Sequence, residues 1–420
     1  MELVLSNLGK LHEETVVQFD GVTILAGDNG SGKSTISKAL YCMFHGFYNI
    51  EGKIYHDRER EIANIILDGK SLRNSSRRWQ SLSGSFVDQL MDDYEERKNV
   101  QVIIDRINQA EMQLVDGLSS EELARRIEQV LLLPDQEICE RLISRILQEK
   151  YNGNVANVNY PEENCSIRLV VKGKELSVCI SPDGRVLYQQ GINLLRDVIY
   201  VDDSFGEESL FGRTGWYSSG YRRARTGLRT DANLEEDIPT AAGELLNEQK
   251  AADILSLMAG AGIGEMRRDE HGRWVYAAHN LSSPIGVENI SSGTKAFLTL
   301  KYLIMNDQID RKGVLILDEP EVHLHPKWQE LYAEIIILLQ RIYDLTLLVS
   351  THSADFVSFL EYYTRKHGSS KLCRYYLMDN VADGKYATAE NVTDSIDRIY
   401  KELSMPYIRI SEKLAEGDDA

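Results

Sequence analysis

The sequence predicts an α/β fold with a mostly parallel central sheet, a compact and mainly helical inserted lobe, and no long coiled coil. Three apolar runs, beginning at Val22, Val314 and Leu345, have the length and the branched side chains of strands buried on both faces. A helical apolar pattern follows the first of them. The sustained heptads that a long coiled-coil arm requires are missing from the sequence.

The composition is that of a globular protein, and 420 residues favour one large domain with an insertion or two domains. The formal net charge of -18 repels phosphate backbones, so nucleic acid could bind only at a local basic patch. The N-terminus lacks a signal-peptide pattern, and no apolar run reaches membrane-spanning length. We therefore expect a cytoplasmic protein that binds no membrane.

The segment AGDNGSGKST, residues 26–35, has the pattern of a phosphate-binding loop. It stands between the predicted strand 22–26 and a helix whose apolar residues Ile36, Leu40 and Phe44 recur at helical spacing. Glycines let backbone N–H groups turn toward phosphates, and the N-terminus of the helix adds a partial positive charge. The alternative is a glycine-rich turn with an incidental lysine.

Two side chains of this loop carry its expected chemistry. Lys33 would reach the β- and γ-phosphates, which makes it a catalytic candidate, and Ser34 would bind Mg²⁺. The nucleotide-binding candidates of the loop are Gly27, Asn29, Gly30, Ser31, Gly32, Lys33, Ser34 and Thr35.

A second apolar strand, 314–317, ends in two acids. Asp318 would hold Mg²⁺ directly or through water, and Glu319 would orient or deprotonate the water that attacks the γ-phosphate. Plain solvation of a strand end is the alternative. The third run, LTLLVSTH, ends at His352, which would contact the γ-phosphate because ligands bind at the carboxyl ends of such strands. A structural role for a lone histidine at a strand end is the alternative.

The segment 289–295, NISSGTK, opens an apolar helix. Ser291 at an N-cap and Gly293 in the first turn would present a hydroxyl and N–H groups to an anion. An N-capped buried helix explains this fragment equally well.

Together, the segments GDNGSGKST, NISSGTK, VLILDEP and LVSTH resemble the motifs of the soluble ABC-type ATPases, the branch with RecF-like, SMC-like and OLD-family proteins. The resemblance implies an ABC-ATPase head that binds ATP and Mg²⁺ and sandwiches two ATP molecules between two subunits. It makes residues 27–35 the Walker A loop, Asp318 the Walker B aspartate, Glu319 the catalytic glutamate and His352 the switch histidine.

By the same resemblance, Ser291 and Gly293 are signature residues that touch the γ-phosphate bound by the partner chain. The family's signature usually has two glycines where this chain has Ser292 and Gly293, a departure that bears on the rate of hydrolysis. The family also has a glutamine that couples Mg²⁺ to the inserted lobe. Gln89 fits that role best and Gln80 is the second choice, with plain solvent exposure as the alternative for either. Adenine contacts are expected near residues 10–12.

We expect the N-terminal part of the ATPase domain at 1–95, a helical insertion at 96–160, a β meander and helical lobe at 161–285, and the C-terminal part of the ATPase domain at 286–420. Within the insertion, Ser119 to Glu122 has the pattern of a capping box. The meander is indicated by alternation over 165–189.

Residues 218–230, SSGYRRARTGLRT, form a basic cluster beside Tyr217. Arginines interleaved with aromatic residues could bind single-stranded nucleic acid or an acidic partner, and a solvated loop is the alternative.

The sequence shows no second catalytic unit. The D-x-D pair of a TOPRIM nuclease is missing, and the five scattered cysteines are expected to be reduced and mostly buried. The pair His323 and His325 lacks a third metal ligand, and Pro326 suits the first position of a helix. An effector would therefore have to be a separate protein, such as a nuclease or a toxin.

We expect an ATPase that dimerises around Mg-ATP and controls that effector in prokaryotic anti-phage defence. The stretch EVHLHPKWQELYAEIIILLQ and the tail of the chain resemble small ATPases of Septu- and retron-type defence systems. A RecF-like DNA-repair ATPase is one alternative, and a scaffold that binds ATP without hydrolysing it is another.

Overall fold

The computed structural model describes residues 1–68, 78–110, 118–202, 241–306 and 308–416. The strands are β1 Glu2–Ser6, β2 Thr15–Gln18, β3 Val22–Gly27, β4 Cys165–Val171, β5 Lys174–Ile180, β6 Val186–Gln190, β7 Val198–Val201, β8 Glu265–Arg268, β9 Trp274–Ala277, β10 Ile285–Gly286, β11 Val314–Asp318, β12 Thr346–Thr351, β13 Cys373–Val381 and β14 Tyr386–Asn391.

The α-helices are α1 Lys33–Phe47, α2 Ile50–Asp68, α3 Arg78–Arg97, α4 Val100–Gln109, α5 Ser120–Leu131, α6 Asp135–Lys150, α7 Ala241–Gly260, α8 Ser292–Met305, α9 Pro326–Tyr343, α10 Ala354–Lys366 and α11 Asp397–Glu416. Over the described residues, none of these helices combines the length and the hydrophobicity that crossing a bilayer would require.

The central sheet has six strands in the order β14-β13-β3-β12-β11-β7, and only β14 is antiparallel to its neighbour. This confirms the predicted mostly parallel sheet. Successive residues of a strand point to opposite faces. Ile24 and Leu317 accordingly lie in one hydrophobic core, and their neighbours Leu25 and Ile316 lie in the other. Burial on both faces explains why the strand sequences are apolar throughout.

A second sheet of five strands, in the order β2-β1-β4-β5-β6, is antiparallel throughout. The strands β4 to β6 are the predicted meander, but they pair with β1 and share a core with α1 rather than forming a lobe with the residues after 190. The pairing of Leu3 with Leu169 could not be read from the sequence, because it joins residues far apart in the chain.

The inserted helical lobe consists of α2 to α5 around its own small core, which includes Ile62, Leu90 and Ile127. It begins at Ile50, so the predicted insertion at 96–160 covers only the later part of the helical region. The N-cap predicted at Ser119 is present, since its hydroxyl accepts a hydrogen bond from the backbone N–H of Glu122 at 3.2 Å.

The cysteines are free thiols, as expected. Four of them, Cys42, Cys139, Cys165 and Cys373, are buried, and Cys179 is half-buried. Burial raises the pKa of each of the four buried thiols, for Cys42 to about 12, because a thiolate would lose its hydration there.

Candidate functional site

The loop between β3 and α1 needs glycine for geometric reasons. At Gly27 a Cβ atom would lie 2.3 Å from the carbonyl oxygen of Met378, so no side chain fits. Gly30 and Gly32 have φ angles of +74° and +86°, which other residues rarely adopt. Gly32 is also the N-cap residue of α1. The loop therefore has three glycines without side chains at the N-terminus of a helix, an arrangement that suits an anion.

Lys33 is 3% exposed and points back across this loop. Its Nζ donates hydrogen bonds to the carbonyl oxygens of Gly27 (2.9 Å) and Asp28 (2.8 Å) and lies 3.5 Å from Oε1 of Glu319. A buried ammonium must be paired and hydrogen-bonded, and these partners meet that requirement. The contact with Glu319 brings the lysine of the first predicted motif next to the acid of the second.

The other loop candidates differ in exposure. Asn29 and Gly30 are exposed, and Ser34 is half-buried at the first turn of α1. The hydroxyl of Ser31 is buried and, among the described residues, has no hydrogen-bond partner. The backbone carbonyl of Thr35 accepts a hydrogen bond from the hydroxyl of Tyr151 at 2.8 Å.

Asp318, the last residue of β11, is 8% exposed and held from two sides. Ser350 of β12 donates its hydroxyl to one carboxylate oxygen, and Tyr200 of β7 donates its hydroxyl to the other at 2.8 Å. Burial, and then the charge of Asp318, raise the pKa of Tyr200, which keeps that hydroxyl protonated as a donor. Two neutral donors therefore orient the carboxylate that the sequence assigns to Mg²⁺.

Glu319 follows with a φ of +50°, an uncommon left-handed backbone for a residue other than glycine. Its N–H donates to the carbonyl oxygen of Ser350 at 3.0 Å, which holds this conformation. The side chain is 29% exposed and lies between Nζ of Lys33, at 3.5 Å, and Nδ1 of His352, at 3.5 Å.

His352 directly follows β12 and is 39% exposed. Its Nδ1 lies near two carboxylates, those of Glu319 and Glu321 (3.7 Å). In the sheet, Thr351 pairs with Ala26 and Ser350 pairs with Asp318. Three neighbouring parallel strands therefore bring Lys33, Asp318, Glu319 and His352 to the same carboxyl edge.

Ser291 is the N-cap of α8, as predicted, and its hydroxyl accepts a hydrogen bond from the N–H of Thr294 at 3.2 Å. Gly293 packs against the loop after β11, where a Cβ would lie 2.9 Å from the carbonyl oxygen of His323. Among the described residues, no hydrogen bond or ion pair joins Ser291 or Gly293 to Lys33.

The structure does not bring Gln89 to the site. Gln89 lies on the exposed face of α3 in the helical lobe, where its side chain accepts a hydrogen bond from Arg106 at 3.4 Å. Gln80 lies on the same helix. The residue beside the Asp318 strand is instead Asp202, which follows Val201, the partner of Leu317 in the sheet. The sequence search missed Asp202 because only the strand order makes β7 the neighbour of β11.

Ser350 and Tyr200 were also missed as site residues. Ser350 belongs to the predicted strand that ends at His352, but the roles of both residues depend on which strands flank β11. Lys150 contacts both Tyr200 and Asp202. Its Nζ lies 3.6 Å from the centroid of the Tyr200 ring and 3.8 Å from Oδ2 of Asp202. The sequence signal that could have identified Ser350 and Tyr200 is a polar side chain within an otherwise apolar strand.

The two histidines after β11 do not form a metal site in the described part of the chain, where no suitable cluster of three ligands occurs. His325 is instead the N-cap of α9, and its Nδ1 accepts from the N–H of Lys327 at 3.3 Å. Pro326 occupies the first helical position, as predicted. The basic cluster at 218–230 lies outside the described residues.

Residues 10–12 lie beside the phosphate-loop candidate. The backbone N–H of Lys10 donates to the hydroxyl of Thr35 at 3.4 Å. The ring of His12 stacks on Tyr160, with ring centroids 3.5 Å apart and an angle of 6° between the planes, and Tyr386 meets His12 edge-on at 5.4 Å. An aromatic cluster therefore stands next to the N-terminus of α1.

Two protein-family models match the chain. The model described as "AAA domain" matches residues 2–164, which contain the phosphate-loop candidate. The model described as "AAA domain, putative AbiEii toxin, Type IV TA system" matches residues 201–358, which contain Ser291, Asp318, Glu319 and His352.

Solved structures similar to the chain include three SMC heads. The SmcHead bound to the C-winged helix domain of ScpA is 12% identical, with a TM-score of 0.45, and the match covers 93% of this chain and 97% of that one. The SMC head domain from Thermotoga maritima is 15% identical, with a TM-score of 0.35 and coverages of 93% and 98%. The Smc head domain with an extended coiled coil bound to the C-terminal domain of ScpA, from Pyrococcus furiosus, is 13% identical, with a TM-score of 0.42 and coverages of 96% and 98%.

Proposed function

We propose that this chain, which matches two AAA-domain models, is an ABC-type ATPase of the RecF and SMC family that binds Mg-ATP at the Lys33 loop, hydrolyses it and dimerises around the nucleotide. The observation that carries the proposal is the cluster of Lys33, Glu319 and His352 at one sheet edge, where a Glu319 oxygen lies 3.5 Å from Nζ of Lys33 and the other lies 3.5 Å from Nδ1 of His352. Ligands of parallel α/β sheets bind at this edge.

The residues of the site fit a magnesium-bound triphosphate. The buried Ser31 hydroxyl, which lacks a partner among the described residues, is a donor available to a phosphate oxygen. Ser34 and Asp318 supply hydroxyl and carboxylate oxygens, the ligand type that Mg²⁺ prefers. Asp202, which follows the strand that pairs with β11, replaces Gln89 in our proposal as the further candidate metal ligand.

Each residue then has one task. The ammonium group of Lys33 lies beside the phosphates. There it can exchange its hydrogen bonds to the carbonyl oxygens of Gly27 and Asp28 for stronger ones to negatively charged phosphate oxygens. Glu319 orients a water and accepts its proton, and His352 donates a hydrogen bond to the γ-phosphate. Bound Mg²⁺ would neutralise charge that develops on the phosphate oxygens. We propose that the adenine base of the nucleotide packs against the stacked rings of His12 and Tyr160.

Dimerisation is proposed because Ser291 and Gly293 stand at a capped helix N-terminus, which suits an anion, and the family resemblance assigns such a cap to the nucleotide of the partner chain. A second copy would complete each site, with the α8 N-terminus of one subunit facing the Lys33 loop of the other. A two-fold symmetric dimer has two such composite sites.

Mixing two inactive variants tests this composite site. Ser292→Glu adds a negative charge at the exposed first position of α8, which suits the helix but repels a phosphate in the partner's loop. Alone, Ser292→Glu and Lys33→Ala should each lack ATPase activity. Mixed in equal amounts they should recover about a quarter of the parent activity, because half of the dimers are mixed and each holds one intact site.

The control for that experiment is Lys33→Ala mixed with a Lys33→Ala, Ser292→Glu double variant, which leaves no intact site in any dimer. Equal activity in the two mixtures would contradict a shared site. Full activity of Ser292→Glu alone would contradict it as well.

We further propose that the nucleotide-bound dimer controls a separate effector, a nuclease or toxin, in prokaryotic anti-phage defence. The description of the family model that matches 201–358 names a toxin of a toxin–antitoxin system, which supports a link to toxic effectors. The Septu- and retron-like character of the C-terminal sequence supports the same assignment.

A phage plating assay tests this role. A host that expresses the chain together with the genes flanking it should plate some phages less efficiently than a host with an empty vector. Lys33→Ala should restore plating, because an effector under nucleotide control cannot be switched without ATP. Equal plating on hosts with the parent chain and with Lys33→Ala would show that the ATPase has no part in defence.

A further inference from the structure

Glu321 is a buried carboxylate that the roles above do not use. It lies on the turn after β11 and is 2% exposed, less than either Asp318 or Glu319. Burying a carboxylate costs several kcal/mol unless hydrogen bonds replace its hydration. The turn could form without an acid at this position. The contacts of the Glu321 carboxylate therefore indicate its role.

Oε1 of Glu321 takes all of the described contacts of this carboxylate. It accepts hydrogen bonds from the hydroxyl of Thr351 and from the backbone N–H of His352 at 3.2 Å, and it lies 3.7 Å from Nδ1 of His352. Oε2 is buried and has no hydrogen-bond partner among the described residues. Burial raises the pKa of this carboxyl group, which the hydrogen bonds from Thr351 and His352 oppose.

The backbone around Glu321 is also fixed. Its carbonyl oxygen accepts from the N–H of Leu324 at 2.9 Å and from the side-chain amide of Gln329 at 3.3 Å. The turn therefore holds the carboxylate in place, and the carboxylate holds the end of β12. Nδ1 of His352 therefore lies close to two carboxylates, those of Glu321 and Glu319.

A purely structural reading is that Glu321 only fastens the turn to β12. Two hydrogen bonds, from Thr351 and from the His352 backbone, would satisfy that reading, and a neutral amide could accept both. The contact with Nδ1 of the same histidine distinguishes an acid from an amide. A carboxylate attracts an imidazole N–H more strongly than an amide does.

We propose that Glu321 is a positioning residue, which holds the imidazole of His352 in the orientation that faces Glu319 and the γ-phosphate. This proposal rests on the proposed function of His352 as a γ-phosphate contact. Glu321 itself touches neither nucleotide nor metal. Its effect on hydrolysis should therefore pass entirely through His352.

Glu321→Gln tests the proposal, because the amide oxygen can still accept from Thr351 and the His352 N–H while the charge is lost. We expect kcat to fall roughly 10- to 100-fold, the scale of a misplaced catalytic contact. Mg-ATP affinity should stay within about twofold, since Glu321 makes no phosphate contact. Glu330→Gln, an exposed acid of α9 that accepts a hydrogen bond from Tyr363 at 3.3 Å, is the control.

A double-mutant cycle separates positioning from a merely structural role. In a His352→Ala background, adding Glu321→Gln should lower kcat no further, because the group it positions is gone. Multiplicative losses in the double variant would overturn the proposal. An unchanged kcat in Glu321→Gln, in a parent that loses turnover through His352→Ala, would also overturn it and leave the proposed function intact.

A measurement without turnover covers the case of very slow hydrolysis or of unstable variants. In protein with ¹⁵N-labelled histidine, Glu321→Gln should shift the ring nitrogen signals of His352 and leave those of distant histidines such as His271 in place. Glu321→Asp keeps the charge on a shorter side chain and should shift them less. Unmoved His352 signals in both variants would show that Glu321 does not hold the ring.

Discussion

Lys33→Ala is expected to lose Mg-ATP binding and hydrolysis together. The side chain is buried across the loop with its ammonium 2.9 Å from the Gly27 carbonyl, so it is already placed to exchange that bond for a phosphate oxygen. Loss of one hydrogen bond to a charged group costs about 1.5–3 kcal/mol, or roughly 10- to 100-fold in affinity. Turnover should fall further, by about 10²- to 10³-fold, because the same charge stabilises the transition state.

Calorimetric titration with Mg-ATP and a phosphate-release assay measure the two losses. Lys401→Ala, an exposed lysine on α11, is the control and should behave like the parent. Since Lys33 also pairs with Glu319, the melting temperature of each variant should be recorded. Undiminished ATP affinity in a folded Lys33→Ala variant would show that the loop at 27–35 is not the nucleotide site.

Glu319→Gln should separate binding from hydrolysis. The amide keeps the size of the side chain but cannot accept a proton from water, and general-base catalysis contributes about 10²- to 10⁴-fold. We therefore expect kcat to fall by that factor while Mg-ATP affinity is retained or improved, because a negative charge near the phosphates is removed. ATP that is not consumed should then hold the dimer closed.

Light scattering coupled to size-exclusion chromatography, with and without Mg-ATP, shows whether the dimer accumulates. Glu402→Gln, an exposed acid on α11, is the matched control and should hydrolyse ATP and dissociate as the parent does. A scaffold that uses ATP without hydrolysing it predicts the opposite result. In that case Glu319→Gln would change neither turnover nor assembly, and our assignment of Glu319 would be wrong.

The strands and the phosphate loop could be predicted because their signals are local. Val22 to Ala26 is apolar and branched, Gly27 to Ser34 carries the loop pattern, and Val314 to Leu317 repeats the strand signal before two acids. The predicted helix N-caps also depend on local sequence. Ser119 and Ser291 each accept a hydrogen bond from the backbone N–H three residues later, which confirms both caps. Such features need only neighbouring residues to form.

Predictions that depended on distant parts of the chain were less successful. The family resemblance assigns Gln89 to the metal site, yet Gln89 lies on α3 of the helical lobe. Asp202 lies beside the Asp318 strand because β7 pairs with β11, across more than a hundred residues of chain. The domain boundary at 161 likewise missed the pairing of β4 with β1.

By itself the sequence determined the α/β class, the glycine loop with Lys33, and the acids that end β11, because each follows from the chemistry of a few consecutive residues. Only the tertiary structure decided that Lys33, Glu319 and His352 meet, that Tyr200 and Ser350 hold Asp318, and that Glu321 is buried against His352. The reason is physical. Strand order and register join residues that no local pattern relates, and the burial that makes a carboxylate such as Glu321 informative exists only once those strands have packed.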